Sequence, residues 1–210
     1  IGDGGGSIIV KGDRRGESAN APHGYGTVVR GNVLYRCHRG ISIHNGDVSV
    51  ESNYIDSVDE TAIDILNDEL NNVSIVRNKI FNVKGRTAIR SRPWGRNIVI
   101  TDNVIDRVTG EESESTYIAA IEVDANESGV DPKNYVISRN IINDVRKSNG
   151  RGIVVEVKKS NMRNINICGN MVTEADDRGI AISGDEGLEM RHLYLFQNQD
   201  FFQEILLLLP

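Results

Sequence analysis

Seven times along the chain a short phrase recurs in which apolar residues alternate with others and an asparagine closes the unit. It reads Val28-Val29-Arg30-Gly31-Asn32, then Val48-Ser49-Val50-Glu51-Ser52-Asn53, Val73-Ser74-Ile75-Val76-Arg77-Asn78 and Ile98-Val99-Ile100-Thr101-Asp102-Asn103. Three further copies close at Asn140, Asn170 and Asn198, and successive asparagines lie 21, 25, 25, 37, 30 and 28 residues apart. Self-similarity at a period of about 20 to 50 residues marks a solenoid, in which length counts coils rather than separate cores. The 210 residues therefore read as one domain, with 1–26 an N-terminal coil and loop, 27–198 the repeats, and 199–210 a C-terminal cap or association segment.

A second phrase follows each asparagine: a small residue, then alternating apolar positions. Examples are Gly40-Ile41-Ser42-Ile43, Ala62-Ile63-Asp64-Ile65, Ala120-Ile121-Glu122-Val123 and Gly152-Ile153-Val154-Val155. Between the two phrases lies a third run, such as Lys79-Ile80-Phe81-Asn82-Val83. All three are short, rich in Val and Ile, and alternate with period two, which is strand rather than helix. Three strands per coil predict an all-β right-handed parallel β-helix of about seven to eight coils, with each asparagine amide bonding its copies above and below.

Charge narrows the partners. The net charge is -6, with 24 Lys and Arg interspersed among 30 Asp and Glu, so no basic face of nucleic-acid-binding size is expected. No apolar run approaches the roughly 20 residues needed to cross a bilayer, so no membrane partner is expected either. The start at Ile1 reads as a processed product or an excised fragment, in which a secretion signal would not be visible. Cys37 and Cys168 fall several coils apart, beyond disulfide reach at about 4.8 Å per coil, and are expected as free thiols.

The pattern resembles the pectate-lyase-like superfamily of right-handed β-helices from about Ser7 to Asn198. In that superfamily the asparagine marks the turn between the second and third strands, and the gap before the next first strand holds the variable loops. Here Asn103 to Ile121 spans 18 residues against 9 to 13 in the other coils, through an insertion from Thr109 to Thr116. The resemblance implies that the first sheet floors a polysaccharide groove, and that the protein works outside the cell, at a cell surface or in a virion. The Arg-x-Pro-x-x-Arg motif of pectate lyases has a partial counterpart in Ser91-Arg92-Pro93-Trp94-Gly95-Arg96, with Ser91 in place of the first arginine.

Period two also sorts the first sheet's side chains, because alternate residues face outward. One outward column is Ser42, Asp64, Arg90, Glu122, Val154 and Ala181. The next is His44, Leu66, Arg92, Asp124, Glu156 and Ser183, with Lys158 beyond Glu156. Glu122, Asp124, Glu156 and Asp64 are the candidate acid, base or nucleophile, since paired carboxylates a few ångström apart serve glycoside hydrolysis. Arg90, Arg92, Lys158 and His44 are candidate substrate-binding groups, with His44 a possible base, and Arg90, Arg92 and Arg96 together with Lys158 and Lys159 would also suit β-elimination of a uronate chain. Trp94 and Tyr117 are candidate sugar-stacking rings. No metal-ligand spacing appears among the histidines. No cofactor is required, and calcium at the acidic loop Glu111, Glu112 and Glu114 is the one cofactor reading left open. The expected function is binding and cleavage of a polysaccharide. The competing readings are a non-catalytic glycan-binding, adhesive or structural module, and a homotrimeric fibre segment joined through Leu206 to Leu209.

Overall fold

Stiff, β-branched Val and Ile favour extended backbone, and the described residues use them in 22 short strands. The computed structural model describes residues 7–10, 26–66, 70–92, 95–111, 113, 115, 117–125, 132–147, 149–184, 190–196, 199–200 and 206–208. Among these there is no helix, and the strands form three sheets of eight, seven and seven members. Every pairing between neighbouring coils is parallel. Each coil contributes one strand to each sheet in turn, for example Val48–Glu51 to sheet B, Tyr54–Val58 to sheet C and Ile63–Ile65 to sheet A. The expected parallel β-helix is thus the observed architecture.

Inside the coils, like residues stack. Ile41, Ile63, Ile89, Ile121, Ile153 and Ile180 form one column of sheet A, all buried and in register. Removing such side chains from water supplies about 1.5–3 kcal/mol each. Where the small residue before them is Gly40 or Gly152, it has a steric reason. A Cβ on Gly40 would sit 2.1 Å from the carbonyl oxygen of Ala62, and one on Gly152 would sit 2.5 Å from that of Gly179. One polar pair interrupts the core: Ser91 replaces the usual aliphatic residue, and its hydroxyl lies 3.2 Å from the fully buried hydroxyl of Tyr135.

The asparagines form a ladder. The Nδ2 groups of Asn32, Asn53, Asn78, Asn103 and Asn140 each donate to the Oδ1 of the next asparagine at 2.9–3.0 Å. The same Oδ1 atoms accept the preceding asparagine's backbone N–H. Each Nδ2 from Asn53 to Asn170 also donates to a sheet B carbonyl of the coil below. Asn198 lies outside the described residues.

A second ladder, which sequence reading did not foresee, runs along the exposed corner six residues earlier. Asn72 donates to Asp47, Asn97 to Asn72, Asn134 to Asn97 and Asn164 to Asn134 at 2.7–2.8 Å, and His192 Nδ1 lies 2.9 Å from Asn164 Oδ1. These residues have left-handed backbone, as do two further columns, Ser52-Arg77-Asp102-Arg139 and Arg36-Ser57-Asn82-Arg107-Asp144-Glu174. Asn and Asp tolerate that conformation through local hydrogen bonding.

Cys37 and Cys168 are free thiols. The terminal segment expected to cap or associate supplies Leu206–Leu208 as an eighth strand of sheet A, paired with Ala181 to Ser183. No described helix is long and apolar enough to cross a membrane.

Candidate functional site

Sheet A carries the first outward column, and the second from Asp124 to Ser183, in the predicted register. Ser42, Asp64, Arg90, Glu122, Val154 and Ala181 pair successively across the coils. Asp124, Glu156 and Ser183 do the same one step along. Asp124 and Glu156 are therefore direct neighbours on adjacent strands, whose backbones lie about 4.8 Å apart. His44 continues its strand beside Leu66, away from the acidic group, with its N–H bonded to Val10. Trp94 lies outside the described residues, and so do Pro93, Glu112 and Glu114.

Depth was not predictable from the columns. Outward-facing carboxylates were expected to meet solvent, yet the side chains of Glu122, Asp64, Asp124 and Glu156 are only 0–8% exposed. A layer of longer side chains covers them. Glu122 accepts from Arg86, from Thr87 Oγ1 at 2.8 Å and from the Tyr117 hydroxyl at 3.0 Å, and Arg90 lies 3.6 Å away. Arg92 pairs with Asp64 at 3.3 Å, Arg90 with Asp124 at 3.7 Å and Lys158 with Glu156 at 2.6 Å. Long cationic stems bury their methylenes while their charged ends reach water. The result is a vertical sorting of charge, with carboxylates beneath and cations 19–45% exposed above them.

Tyr117 belongs to the covering layer and does not present an open ring. It is 7% exposed and packs with Ala119, Val154 and Ala181 on the outside of sheet A. The guanidinium carbons of Arg86 and Arg151 lie 4.5 and 4.7 Å from its ring centroid. Burial, with the negative charges of Glu122 and Glu156, pushes its hydroxyl well above the usual tyrosine range. The insertion before Tyr117 thus delivers a ring that closes over Glu122.

Burial also raises the Asp64 carboxyl, against the pull of Arg92 and Arg90. Asp124 is raised by burial and then by Glu122, with Arg90 and Lys158 opposing. These are the groups whose charged form the site disfavours. Among the described residues no group of three or more His, Cys, Asp or Glu is arranged to hold a metal ion.

Arg86, Arg151, Arg178 and Asp177 were missed by sequence reading. Arg151 and Arg178 share a register row with Thr87 and Ala119, three residues before the outward column. Strict alternation puts an odd offset on the inner face. The row nonetheless lies outside, because Ala119 packs with Tyr117 and Thr87 bonds Glu122. Asp177 binds Arg151 at 2.9 Å and Arg178 at 2.5 Å. The signal was present as Arg-Gly-Ile at Arg151 and again at Arg178.

No curated protein and no solved structure matches this chain. A family model described as the right-handed β-helix region matches residues 18–195, a span that takes in both described ladders and the sheet A stripe. With three parallel sheets and an asparagine at each B-to-C turn, the chain belongs to the right-handed β-helix family.

Proposed function

We propose that this β-helix binds an anionic polysaccharide along the outer face of sheet A. The sorting of charge by depth carries the reading: a polymer approaching the sheet meets Arg86, Arg90, Arg92, Arg151, Arg178 and Lys158 before any of the buried carboxylates. Guanidinium groups suit carboxylate and sulfate because their planar fork donates two parallel hydrogen bonds. The chain as a whole is negative, whereas on this face the six cations outnumber by one the carboxylates they pair with, Asp64, Glu122, Asp124, Glu156 and Asp177. Binding to polygalacturonate or alginate, followed by titration calorimetry, should weaken with added salt. It should fall about tenfold in Arg92→Ala combined with Lys158→Ala, a loss of about 1.4 kcal/mol. Equal binding of neutral dextran, or no effect of salt, would refute the reading.

A second reading, cleavage of the bound chain, is favoured by the adjacency of Asp124 and Glu156 and by the upward shift of Asp124. A carboxyl whose charged form is disfavoured is suited to general acid work, with its neighbour as base or nucleophile. Following both reducing ends and unsaturated uronates separates hydrolysis from elimination. Products that persist in Asp124→Asn and Glu156→Gln would remove these two residues from the chemistry. Binding without products supports a non-catalytic module. Either reading suits a protein working outside the cell or in a virion, and light scattering tests the homotrimer.

A further inference from the structure

Sheet C, on another side of the helix, carries the most exposed aromatic patch among the described residues. Tyr35, Asp56 and Phe81 stand in register on three successive coils, and Tyr54 stands in register with Val33 and Lys79. The Tyr54 and Phe81 rings lie 5.4 Å apart at 35°. Tyr35 carries the Arg36 guanidinium 5.1 Å from its ring centroid. Asp56 is fixed by neutral donors, Asn82 Nδ2 at 2.8 Å, Ser57 Oγ at 3.0 Å and the Tyr54 hydroxyl at 3.4 Å. Asp106, next in the Phe81 column, accepts from Asn143 at 2.7 Å.

Three features define the occupant. Tyr35, Tyr54 and Val33 are 58, 40 and 75% exposed. Since a buried aromatic side chain covers about 150–250 Å², the exposed apolar area is on the order of 300 Å². A stable protein interface takes roughly 800 Å² from each partner, so the patch is too small for one and suits a few sugar rings. Asp56 and Asp106 accept from neutral amides and hydroxyls, whereas on sheet A guanidinium and ammonium groups cover the carboxylates. Stepped rings beside hydroxyl-accepting carboxylates also match the alternation of C–H faces and hydroxyl edges on a pyranose.

We propose that sheet C bears a second glycan site, for an uncharged polysaccharide, in which Tyr35, Tyr54 and Phe81 stack on sugar faces and Asp56 accepts sugar hydroxyls. The site is independent of sheet A. Titration calorimetry and tyrosine fluorescence with cellohexaose, xylohexaose and mannohexaose should give saturable binding to at least one, insensitive to salt. Tyr54→Ala and Tyr35→Ala should each weaken it roughly tenfold while leaving the circular dichroism spectrum and polygalacturonate binding unchanged. Failure of all three hexasaccharides to bind, or binding that survives in the double variant, overturns the proposal. So does a concentration-dependent dimer in sedimentation that Tyr54→Ala abolishes, since the patch would then join copies of the chain.

Discussion

Replacing Asn103 by alanine removes a middle rung of the buried ladder, and its cost can be counted bond by bond. Four side-chain hydrogen bonds disappear: two accepted from Asn78 and two donated, to Ile75 O and Asn140 Oδ1. Two of the partners keep another bond, because Asn78 Nδ2 still donates to Val50 O and Asn140 Oδ1 still accepts the backbone N–H of residue 103. The backbone N–H of Asn78 loses its side-chain acceptor and Ile75 O loses a donor, in a site where both asparagines are 0% exposed. The stranded N–H costs about 1–3 kcal/mol and the second bond to Ile75 O, which keeps its ladder partner inside sheet B, about 1 kcal/mol more, so the substitution costs about 2–4 kcal/mol. That is a large share of the roughly 5–15 kcal/mol that stabilises a domain. Asn32→Ala is the internal control: its site is half-buried, Asn53 Oδ1 retains the N–H of residue 32, and water can replace what is lost, for a cost under about 1 kcal/mol. Urea unfolding followed by circular dichroism reports both values. Asn103→Asp adds a sign test. A carboxylate there faces Ile75 O and Asn140 Oδ1, so its folded pKa lies above the unfolded value of about 3.9. Stability is therefore present below that value and lost as pH rises through the folded pKa. Asn103→Ala and Asn32→Ala within about 1 kcal/mol of each other, or an Asp variant without pH dependence, would refute the ladder as a source of stability.

Asp64, held above the ordinary aspartate range by burial, contributes stability that is full below about pH 4 and lost as pH rises through its folded pKa. Asp64→Asn should flatten that loss and raise the urea midpoint near neutrality, and a lower midpoint would mean that the Arg92 pair outweighs desolvation. Glu122→Ala removes the acceptor that Arg86 and Tyr117 share, leaving them bonded to each other, and should cost about 1.5–3 kcal/mol, with a change in tyrosine near-ultraviolet dichroism as the ring loosens; an unchanged spectrum argues against Tyr117 closing over Glu122. Gly40→Ala forces a Cβ to 2.1 Å from Ala62 O and should lower stability by about 1–3 kcal/mol in thermal melts, and an unchanged melting temperature would mean that the coils move apart without cost.

The coil geometry was legible because a solenoid's spatial neighbours recur at near-constant spacing in the chain, so Asn53, Asn78 and Asn103 announce one another. The second ladder was equally legible in form, with Asp47, Asn72, Asn97, Asn134, Asn164 and His192 each six residues before a repeat asparagine. It was overlooked because a varied residue type hides a conserved backbone conformation. The depth of Glu122 was not legible. It depends on how far Arg86 reaches and where a variable insertion leaves Tyr117, and neither follows from alternation. Ser91 opposite Tyr135 illustrates the same limit, since a small polar residue in an aliphatic column has meaning only once the residue across the core is known.

The buried ladder also has a direction. Asn32 donates to Asn53, Asn53 to Asn78, and so on to Asn170, without reversal. A column of amides threaded this way points its acceptors toward the Asn32 side and its donors toward the other, like a row of magnets laid nose to tail. Two copies meeting end to end can continue the thread only head to tail. Continuation of that kind has no twofold axis, and when coaxial it builds an open filament rather than a ring, so a twofold contact between coil ends cannot extend this ladder.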